Sequence, residues 1–330
     1  MTDLVHVVLA ANHRYLNGLL ATMASMILFS TNKNRLCFHV FADGLDDFDC
    51  ERVKSVALHC GFCGECLFHR PDMSWIVQTF SAYKSAHTAF LRLFLCEFLE
   101  EEWVVYSDVD TLWFRDVCEL WNGRDSSVSV LWCQDVASTA QGAHEYSRLF
   151  NPRFDVDKYA CSGVMLMNLK RMRETGFVGK CVDFVSRWGT PPFDQDILNA
   201  VCLDDAKLID QRWDCMRPDR RAPEGVVIHF NGIGSGLNTP FSGWRVHYVM
   251  WYRFFYDVIL GYKRHPVCGV LKRTIFFLLG SFYPFGWLLR LVGVVFDQIR
   301  QDQLARVLFF SWLWRHNQFR EHWLMLDKRR

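Results

Sequence analysis

Short apolar stretches alternate with helix-like segments along the first two thirds of the chain, and this order leaves few folds open to it. The stretches at 4–10 (LVHVVLA), 35–44 (RLCFHVFADG) and 103–107 (WVVYS) are rich in branched and aromatic residues and end at polar ones, as buried strands do. Helical spacing of apolar residues follows the first stretch and recurs over 83–101. The alternation predicts an α/β sheet flanked by helices.

The later part of this region continues the same order. Residues 162–169 (SGVMLMNL) and 226–232 (VVIHFNG) indicate two further strands, and 194–202 (DQDILNAVC) indicates a helix with Asp194 as its N-cap. In sheets of this class, ligands collect beyond the carboxyl ends of the strands. We therefore expect the polar residues that follow the strands to form the functional site.

Charge is distributed unevenly along the 330 residues. The net charge of +1 argues against a nucleic-acid binder, and a hydrophobic fraction of 51% supports a sizeable core. Residues 246–330 hold 13 Lys and Arg against 5 Asp and Glu, whereas 1–245 hold 24 against 31. This shift predicts a globular domain over 1–245 and a basic C-terminal extension over 246–330.

The N-terminus and the cysteines indicate a compartment. MTDLVHVVLAANHRY lacks a basic start, a long apolar core and a small-residue cleavage site, so we expect the chain to stay in the cytosol. Thirteen cysteines scattered through apolar segments are then expected to be reduced and mostly buried.

Three of the cysteines have metal-site spacing. Cys60, Cys63 and Cys66 follow a C-x₂-C-x₂-C pattern with His59 and His69 beside it, which is found in zinc and iron–sulfur sites. No further cysteine follows at position 70 and no second C-x₂-C pair is present, so the spacing argues against a metal cluster.

The most informative local feature is the carboxylate pair after WVVYS. Asp108 and Asp110 lie two residues apart, so on an extended segment they share a face and can converge on one cation. Mn²⁺ or Mg²⁺ suits oxygen ligands and commonly joins protein carboxylates to substrate phosphates. Taken alone, the Asp-x-Asp pattern is weak and favours two solvated loop acids.

Four blocks in a fixed order resolve this ambiguity, because together they resemble the motifs of glycosyltransferase family eight. The blocks are VVYSDVDTLWFRDVCELW, YACSGVMLMNLKRMRETG, FDQDILN and VIHFNG, and with VVLAANHRY and TAFLRLFLCEFL the resemblance covers about residues 4–235. It implies a GT-A nucleotide-sugar-binding fold, a Rossmann-like mixed sheet flanked by helices. It also implies a UDP-sugar donor such as UDP-glucose or UDP-galactose, a Mn²⁺ or Mg²⁺ ion, and transfer with retention at the anomeric carbon.

The resemblance also implies the site residues. Asp108, Asp110 and His229 match the metal ligands, and Asp194 with Gln195 matches the pair beside the transferred sugar, the only nearby candidates for a nucleophile in a double displacement. Donor-binding positions are matched by Ala10, Ala11, Asn12, Tyr15, Arg92, Ser162, Gly163, Gly232 and Ser235.

The chain departs from the family pattern at three of these blocks. Ser235 stands where relatives carry a phosphate-binding lysine, Cys161 where many carry asparagine, and Asn12 where the family has aspartate. The charge of the leaving group would then rest on the metal, on loop amides over 232–236, or on Arg245. These departures keep open the alternative of a non-catalytic nucleotide-sugar binder.

The basic extension contains a long apolar segment at 274–296. Its length permits a membrane span, but Pro284, the internal Arg290 and the surrounding aromatic residues favour a helical segment lying in the membrane interface. A packed soluble subdomain is the remaining alternative. We expect residues 270–330 to attach the enzyme to an anionic inner membrane face, where the acceptor is a lipid-linked glycan such as a lipopolysaccharide core. The competing prediction is a soluble, glycogenin-like transferase.

Overall fold

A seven-stranded mixed sheet organises the computed structural model, which describes residues 3–80, 87–136, 158–190, 193–202, 204–216 and 225–230. Its strand order is β3-β2-β1-β4-β7-β6-β8, and β5 and β9 form a second, two-stranded sheet. The strands are β1 (Val5–Asn12), β2 (Leu36–Asp43), β3 (Glu65–His69), β4 (Trp103–Ser107), β5 (Thr111–Trp113), β6 (Val130–Gln134), β7 (Ala160–Asn168), β8 (Ala206–Leu208) and β9 (Val227–His229).

Parallel and antiparallel pairs divide the large sheet. Strands β3, β2, β1 and β4 run parallel to one another, β7 runs antiparallel to both β4 and β6, and β8 is parallel to β6. In the small sheet, Thr111 pairs with His229, which brings the end of β9 next to the segment that follows β4. The predicted α/β sheet is thus confirmed.

Helices cover both faces of the sheet. They are α1 (Leu16–Phe29), α2 (Asp47–His59), α3 (Ser74–Thr79), α4 (His87–Phe90), α5 (Leu95–Phe98), α6 (Val117–Trp121), α7 (Leu169–Glu174), α8 (Phe177–Trp188) and α9 (Asp194–Cys202). Single 3₁₀ turns lie at His13–Tyr15, Lys33–Arg35, Leu91–Phe94 and Gln211–Trp213.

The helical spacing over 83–101 corresponds to short helices rather than to one long helix. In the part that the structure describes, the 3₁₀ turn Leu91–Phe94 separates α4 from α5. This turn carries Arg92, whose buried guanidinium bonds to three neighbouring segments of the chain. Apolar spacing predicts which residues face inward, but it does not report the backbone geometry that a buried ion pair requires.

Both faces of the sheet are buried, as a sheet between two helical layers requires. Along β1, Val7 and Leu9 pack into one core, whereas Val8 and Ala10 pack into the other. All nine residues of β7 are buried. This explains why the strands read as continuous apolar runs and why a charged residue inside the sheet needs a partner.

Most of the cysteines that the structure describes are buried, as predicted. None of the twelve cysteines in these residues forms a disulfide, and nine of them are buried. Cys60 directly follows the last residue of α2, and Cys66 lies in β3. Among the described residues, the side-chain groups able to hold a metal include none of Cys60, Cys63 and Cys66.

The C-terminal predictions lie beyond the described residues. The boundary near residue 245, the extension over 246–330 and the apolar segment at 274–296 all fall there. Within the described part of the chain, the helices are too short or too polar to cross a membrane.

Candidate active site

The acidic pair lies where three parts of the fold meet, directly after β4. The backbone N–H of Asp108 donates to the carbonyl of Gly163 in β7 at 2.7 Å. The carbonyl of Asp110 accepts from the N–H of Phe230, just after β9, at 2.9 Å. These two bonds hold the pair against β7 on one side and the end of β9 on the other.

His229 completes a cluster with both aspartates. Its Nε2 lies 3.3 Å from Oδ1 of Asp110 and 3.8 Å from Oδ2 of Asp108. One ligand atom from each of the three residues lies within 4.8 Å of the others. The structure thus brings together the three side chains that the sequence predicted as metal ligands.

The opposite side of the His229 ring is held by Asp214. Oδ1 of this fully buried aspartate lies 2.8 Å from Nδ1 of His229, and Sγ of Cys161 lies 3.6 Å from the same nitrogen. A carboxylate at Nδ1 selects the tautomer with the proton there and leaves the Nε2 lone pair facing Asp108 and Asp110. Two carboxylates and a neutral imidazole are a donor set that fits Mn²⁺ or a similar divalent ion.

Gly163 is required by the position of the His229 ring. A β-carbon on this glycine would lie 2.1 Å from Cε1 and 2.5 Å from Nδ1 of His229, which real atoms do not tolerate. The resemblance placed Gly163 among the donor-binding positions, where a residue without a side chain leaves room beside the backbone. The room is taken by the imidazole.

Arg92 links the acidic pair to the Asp194 region. Its Nη2 donates to Oδ1 of Asp108 at 2.6 Å, its Nε lies 2.9 Å from Oδ2 of Asp194, and its Nη1 donates to the carbonyl of Ser162 at 2.7 Å. The guanidinium also lies over the ring of Tyr106, 4.5 Å from its centroid. The buried guanidinium of Arg92 therefore holds the carboxylates of Asp108 and Asp194 at a fixed separation.

Burial and charge shift the titration of this cluster. Burial raises the pKa of Asp108 to about 6, although Arg92 acts in the opposite direction. Burial likewise raises the pKa of Asp194. Burial disfavours the charged form of Arg92, yet the carboxylates of Asp108 and Asp194 raise its pKa above the ordinary value. For His229, burial again opposes the charge, and Asp214 raises the pKa well above 6.5, so a metal ion bound at Nε2 would displace a proton from that nitrogen.

Gln195 is oriented at both ends of its amide. Its Nε2 donates to Oδ2 of Asp135 at 2.7 Å, and its Oε1 accepts from the backbone N–H of Ser162 at 3.0 Å. Helix α9 begins at Asp194 itself, so the predicted cap residue is the first helical residue. The Asp194–Gln195 pair thus faces the start of β7, next to the acidic cluster.

The predicted nucleoside-binding positions lie at the carboxyl end of β1. Ala10 and Ala11 are buried, and Tyr15 packs partly against the core. The Nδ2 of Asn12 donates to Oγ1 of Thr88 at 3.2 Å, and Thr88 in turn donates to Asp43 at the end of β2.

Five residues that touch this site were not predicted from the sequence. Asp43 is the last residue of β2, and Asp135 directly follows β6. A carboxylate at the end of a strand is the signal that identified Asp108, so the same rule applied to every strand would have found both residues. Thr88 and Asp214 had no comparable signal, because only the fold brings them to Asn12 and His229. Tyr106, whose OH donates to Asp108 at 3.0 Å, lies inside a strand. The predicted Gly232 and Ser235 lie outside the described residues.

The sequence also matches a defined protein family. Residues 6–234 match the family model described as Glycosyl transferase family 8. The chain belongs to this family. Among curated relatives, General stress protein A of Bacillus subtilis is 22% identical over 64% of this chain and 73% of that protein. Glycosyltransferase GlyA of Streptococcus pneumoniae is 25% identical over 63% of this chain, which spans only 26% of that longer protein.

Solved structures of family 8 relatives share the fold. Galactosyltransferase LgtC, in complex with donor and acceptor sugar analogues, superposes with a TM-score of 0.62 at 18% identity and covers 75% of this chain and 95% of that one. The bifunctional glycosyltransferase WbbM gives a TM-score of 0.54 at 19% identity over 65% of this chain and 40% of that one. The predicted GT-A fold is thereby confirmed for the glycosyltransferase region, and the chain is a glycosyltransferase by family.

Proposed function

We propose that this family 8 enzyme transfers a hexose from a UDP-sugar, with retention, to a lipid-linked glycan such as a lipopolysaccharide core. The observation that carries the proposal is the convergence of Asp108, Asp110 and His229, with ligand atoms within 4.8 Å of one another. Mn²⁺, or Mg²⁺ in its place, would be held by these three side chains. When bound, the ion supplies positive charge that stabilises the departing diphosphate.

The fold contributes to this reaction by holding the carboxylates of Asp108, Asp110 and Asp194 close together in a largely buried site. Arg92 neutralises Asp108 and Asp194 and separates the metal-binding side of the site from the sugar side. Gln195 is kept in one orientation by Asp135 and Ser162, so its position relative to a bound sugar is preorganised.

The ion pair at Asp194 also bears on the chemical route. A double displacement needs an available nucleophile beneath the anomeric carbon. Asp194 is buried and paired with Arg92 at 2.9 Å, which reduces the nucleophilicity of its carboxylate, and Gln195 is a neutral amide. We therefore favour attack by the acceptor hydroxyl from the face that the UDP leaves.

The donor is tested by measuring UDP release from UDP-glucose and UDP-galactose, each with Mn²⁺ and with excess chelator. UDP-galactose comes first, because LgtC is a galactosyltransferase with the same fold. We expect release that requires the metal. Binding of either donor with no metal-dependent release, even with acceptor lipid supplied, would instead support the non-catalytic binder that the absence of a lysine at position 235 suggests.

The acceptor and the location rest on the basic extension. With 13 Lys and Arg against 5 Asp and Glu over 246–330, the extension suits an anionic membrane surface, so we propose a cytoplasmic enzyme attached to the inner face of the membrane. The full chain should co-sediment with vesicles containing anionic lipid and much less with zwitterionic ones. Equal recovery in both supernatants would favour the soluble, glycogenin-like alternative.

A further inference from the structure

A second cluster of metal-binding side chains lies at the opposite end of the sheet from the candidate active site. His6 is the second residue of β1, and Cys37 and His39 lie near the start of β2. His6 is the direct register partner of Cys37. All three side chains project from the same face of the sheet, because alternate residues of a strand share a face. The proposed catalytic residues lie beyond the other ends of these strands.

The ligand atoms of this cluster converge closely. Nδ1 of His6 lies 3.0 Å from Nε2 of His39, and Sγ of Cys37 lies 3.6 Å from the same Nε2. One atom from each of the three residues lies within 4.8 Å of the others. A carboxylate joins them, since Oε1 of Glu101 lies 3.6 Å from Nε2 of His39 and 3.9 Å from Nδ1 of His6.

We propose that His6, Cys37, His39 and Glu101 form a structural zinc site. Bonds of about 2.0–2.3 Å to a tetrahedral Zn²⁺ place the ligand atoms about 3.3–3.8 Å apart. The distances to Nε2 of His39 from Sγ of Cys37 and from Oε1 of Glu101, both 3.6 Å, lie in that range. Four protein ligands close the coordination sphere, as in structural rather than catalytic sites.

His69 of β3 supports this assignment. Its Nε2 lies 3.0 Å from Nδ1 of His39. When His69 accepts the Nδ1 proton of His39, the Nε2 of His39 is free to bind a metal, and histidine ligands usually donate their other ring N–H in this way. His69 is itself stacked on Phe41, with ring centroids 4.8 Å apart, which fixes its position.

The donor set distinguishes this site from the acidic cluster. A thiol and two imidazoles suit Zn²⁺, whereas two carboxylates with one imidazole suit Mn²⁺ or Mg²⁺. Cys37 and His39 are each 1% exposed, while the side chains of His6 and Glu101 are 21% and 24% exposed. The two exposed ligands leave an entry path, and the two buried ones exclude water from the metal.

A zinc ion here would join parts of the chain that are far apart in sequence. It would connect β1 and β2 to the residue two positions before β4, at the edge where these strands begin. Without metal, the same side chains form a row of hydrogen bonds through His6, His39 and His69. The alternative to a zinc site is therefore a metal-free row of hydrogen bonds, and the experiment must distinguish the two.

The test uses the metal-stripped full chain titrated with Co²⁺, a spectroscopic substitute for Zn²⁺, and then with Zn²⁺. We expect a thiolate-to-Co²⁺ absorption band that Zn²⁺ abolishes, together with a rise in Tm on adding Zn²⁺. Cys37→Ser should lose the band and the rise in Tm. If that variant does not fold, His6→Gln, at a partly exposed position, should weaken Co²⁺ binding and change the band.

Matched cysteine variants identify the thiol responsible. Cys63→Ser, at an exposed position of the C-x₂-C-x₂-C segment, and Cys161→Ser, beside His229, should both keep the band. His69→Phe keeps the stacking but removes the acceptor, so Zn²⁺ affinity should fall roughly 10–100-fold, with recovery in His69→Gln. The proposal is overturned if the wild-type chain shows no band, if Cys37→Ser retains it, or if Cys161→Ser or Cys63→Ser removes it.

Discussion

Gly163 and His229 are in such close contact that any larger residue at position 163 would displace the imidazole. A β-carbon there would lie 2.1 Å from Cε1 of the ring, and it would sit on the backbone of β7, which is buried along its whole length. Because both neighbours are held by strands, neither can move away without cost. The glycine is therefore part of the arrangement that places Nε2 of His229 beside Asp108 and Asp110.

Gly163→Ala should disrupt this arrangement with a modest loss of stability. Overpacking costs about 1–3 kcal/mol, and a misplaced ring should weaken Mn²⁺ binding by about 10-fold or more. Isothermal titration with Mn²⁺ and urea unfolding measure the two effects. Gly179→Ala on the exposed face of α8 is the control, since a β-carbon there meets nothing within 4 Å. Unchanged Mn²⁺ affinity in Gly163→Ala would contradict the role given to His229.

Asp110→Asn should separate catalysis from stability. Among the ion pairs of the described residues, its side-chain carboxylate is close only to His229, so its loss should change Tm little. Loss of a metal ligand should lower kcat by roughly 100-fold or more, because metal stabilisation of the leaving group contributes several kcal/mol. Asp108→Asn, which also breaks the pair with Arg92, should lower both kcat and Tm. Full activity of Asp110→Asn would refute the metal role of the pair.

Arg92→Met should strongly destabilise the fold. It removes the buried cation that pairs with both Asp108 and Asp194, and breaking a buried ion pair by removing one partner costs about 3–5 kcal/mol. Urea unfolding measures the change, and Arg187→Met on the exposed part of α8 should stay within about 0.5 kcal/mol of the wild type. A double variant with Asp194→Asn should recover part of the loss; no recovery would mean that Arg92 acts through packing alone.

Asp196 should make stability depend on pH. Burial raises its pKa from 3.8 to about 6, although Tyr159 donates to it at 2.7 Å. Between about pH 4 and 6 the folded chain therefore binds more protons than the unfolded chain, and the free energy of unfolding falls as pH rises.

Asp196→Asn should remove that contribution. Relative to the wild type, the variant should gain up to about 3 kcal/mol between pH 4 and pH 8, since each pKa unit corresponds to about 1.36 kcal/mol. Urea unfolding at several pH values measures the difference. Tyr159→Phe, which removes the donor to the carboxylate, should extend the pH dependence upward. A constant difference between wild type and Asp196→Asn across this range would show that the carboxyl is not perturbed.

Much of the fold follows from patterns that are local in sequence. The apolar stretches that became β1, β2, β4 and β7 were predicted from composition and length, because a strand buried on both faces needs apolar residues throughout. The helical pattern over 83–101 was only partly correct, since the 3₁₀ turn Leu91–Phe94 depends on partners of Arg92 that lie 16 to 102 residues away along the chain.

The residues of the candidate active site were likewise only partly predictable from the sequence. Asp108, Asp110 and His229 were predicted because their sequence blocks resemble a family whose motifs are spaced and ordered. Asp214 was missed because it acts by orienting His229 and no neighbouring motif marks it. Asp135, which orients Gln195, carried the strand-end signal but was not singled out.

By itself, the amino-acid sequence determined that the segments of β1, β2, β4, β7 and β9 are strands and which side chains are chemically able to bind a metal or a sugar. Only the tertiary structure decided which of them meet. The pairing of Thr111 with His229 and the bonds from Arg92 to Asp108 and Asp194 join residues from distant parts of the chain. Such contacts depend on how strands are ordered and registered in the sheets, and that order is set by packing of the whole core rather than by any one segment.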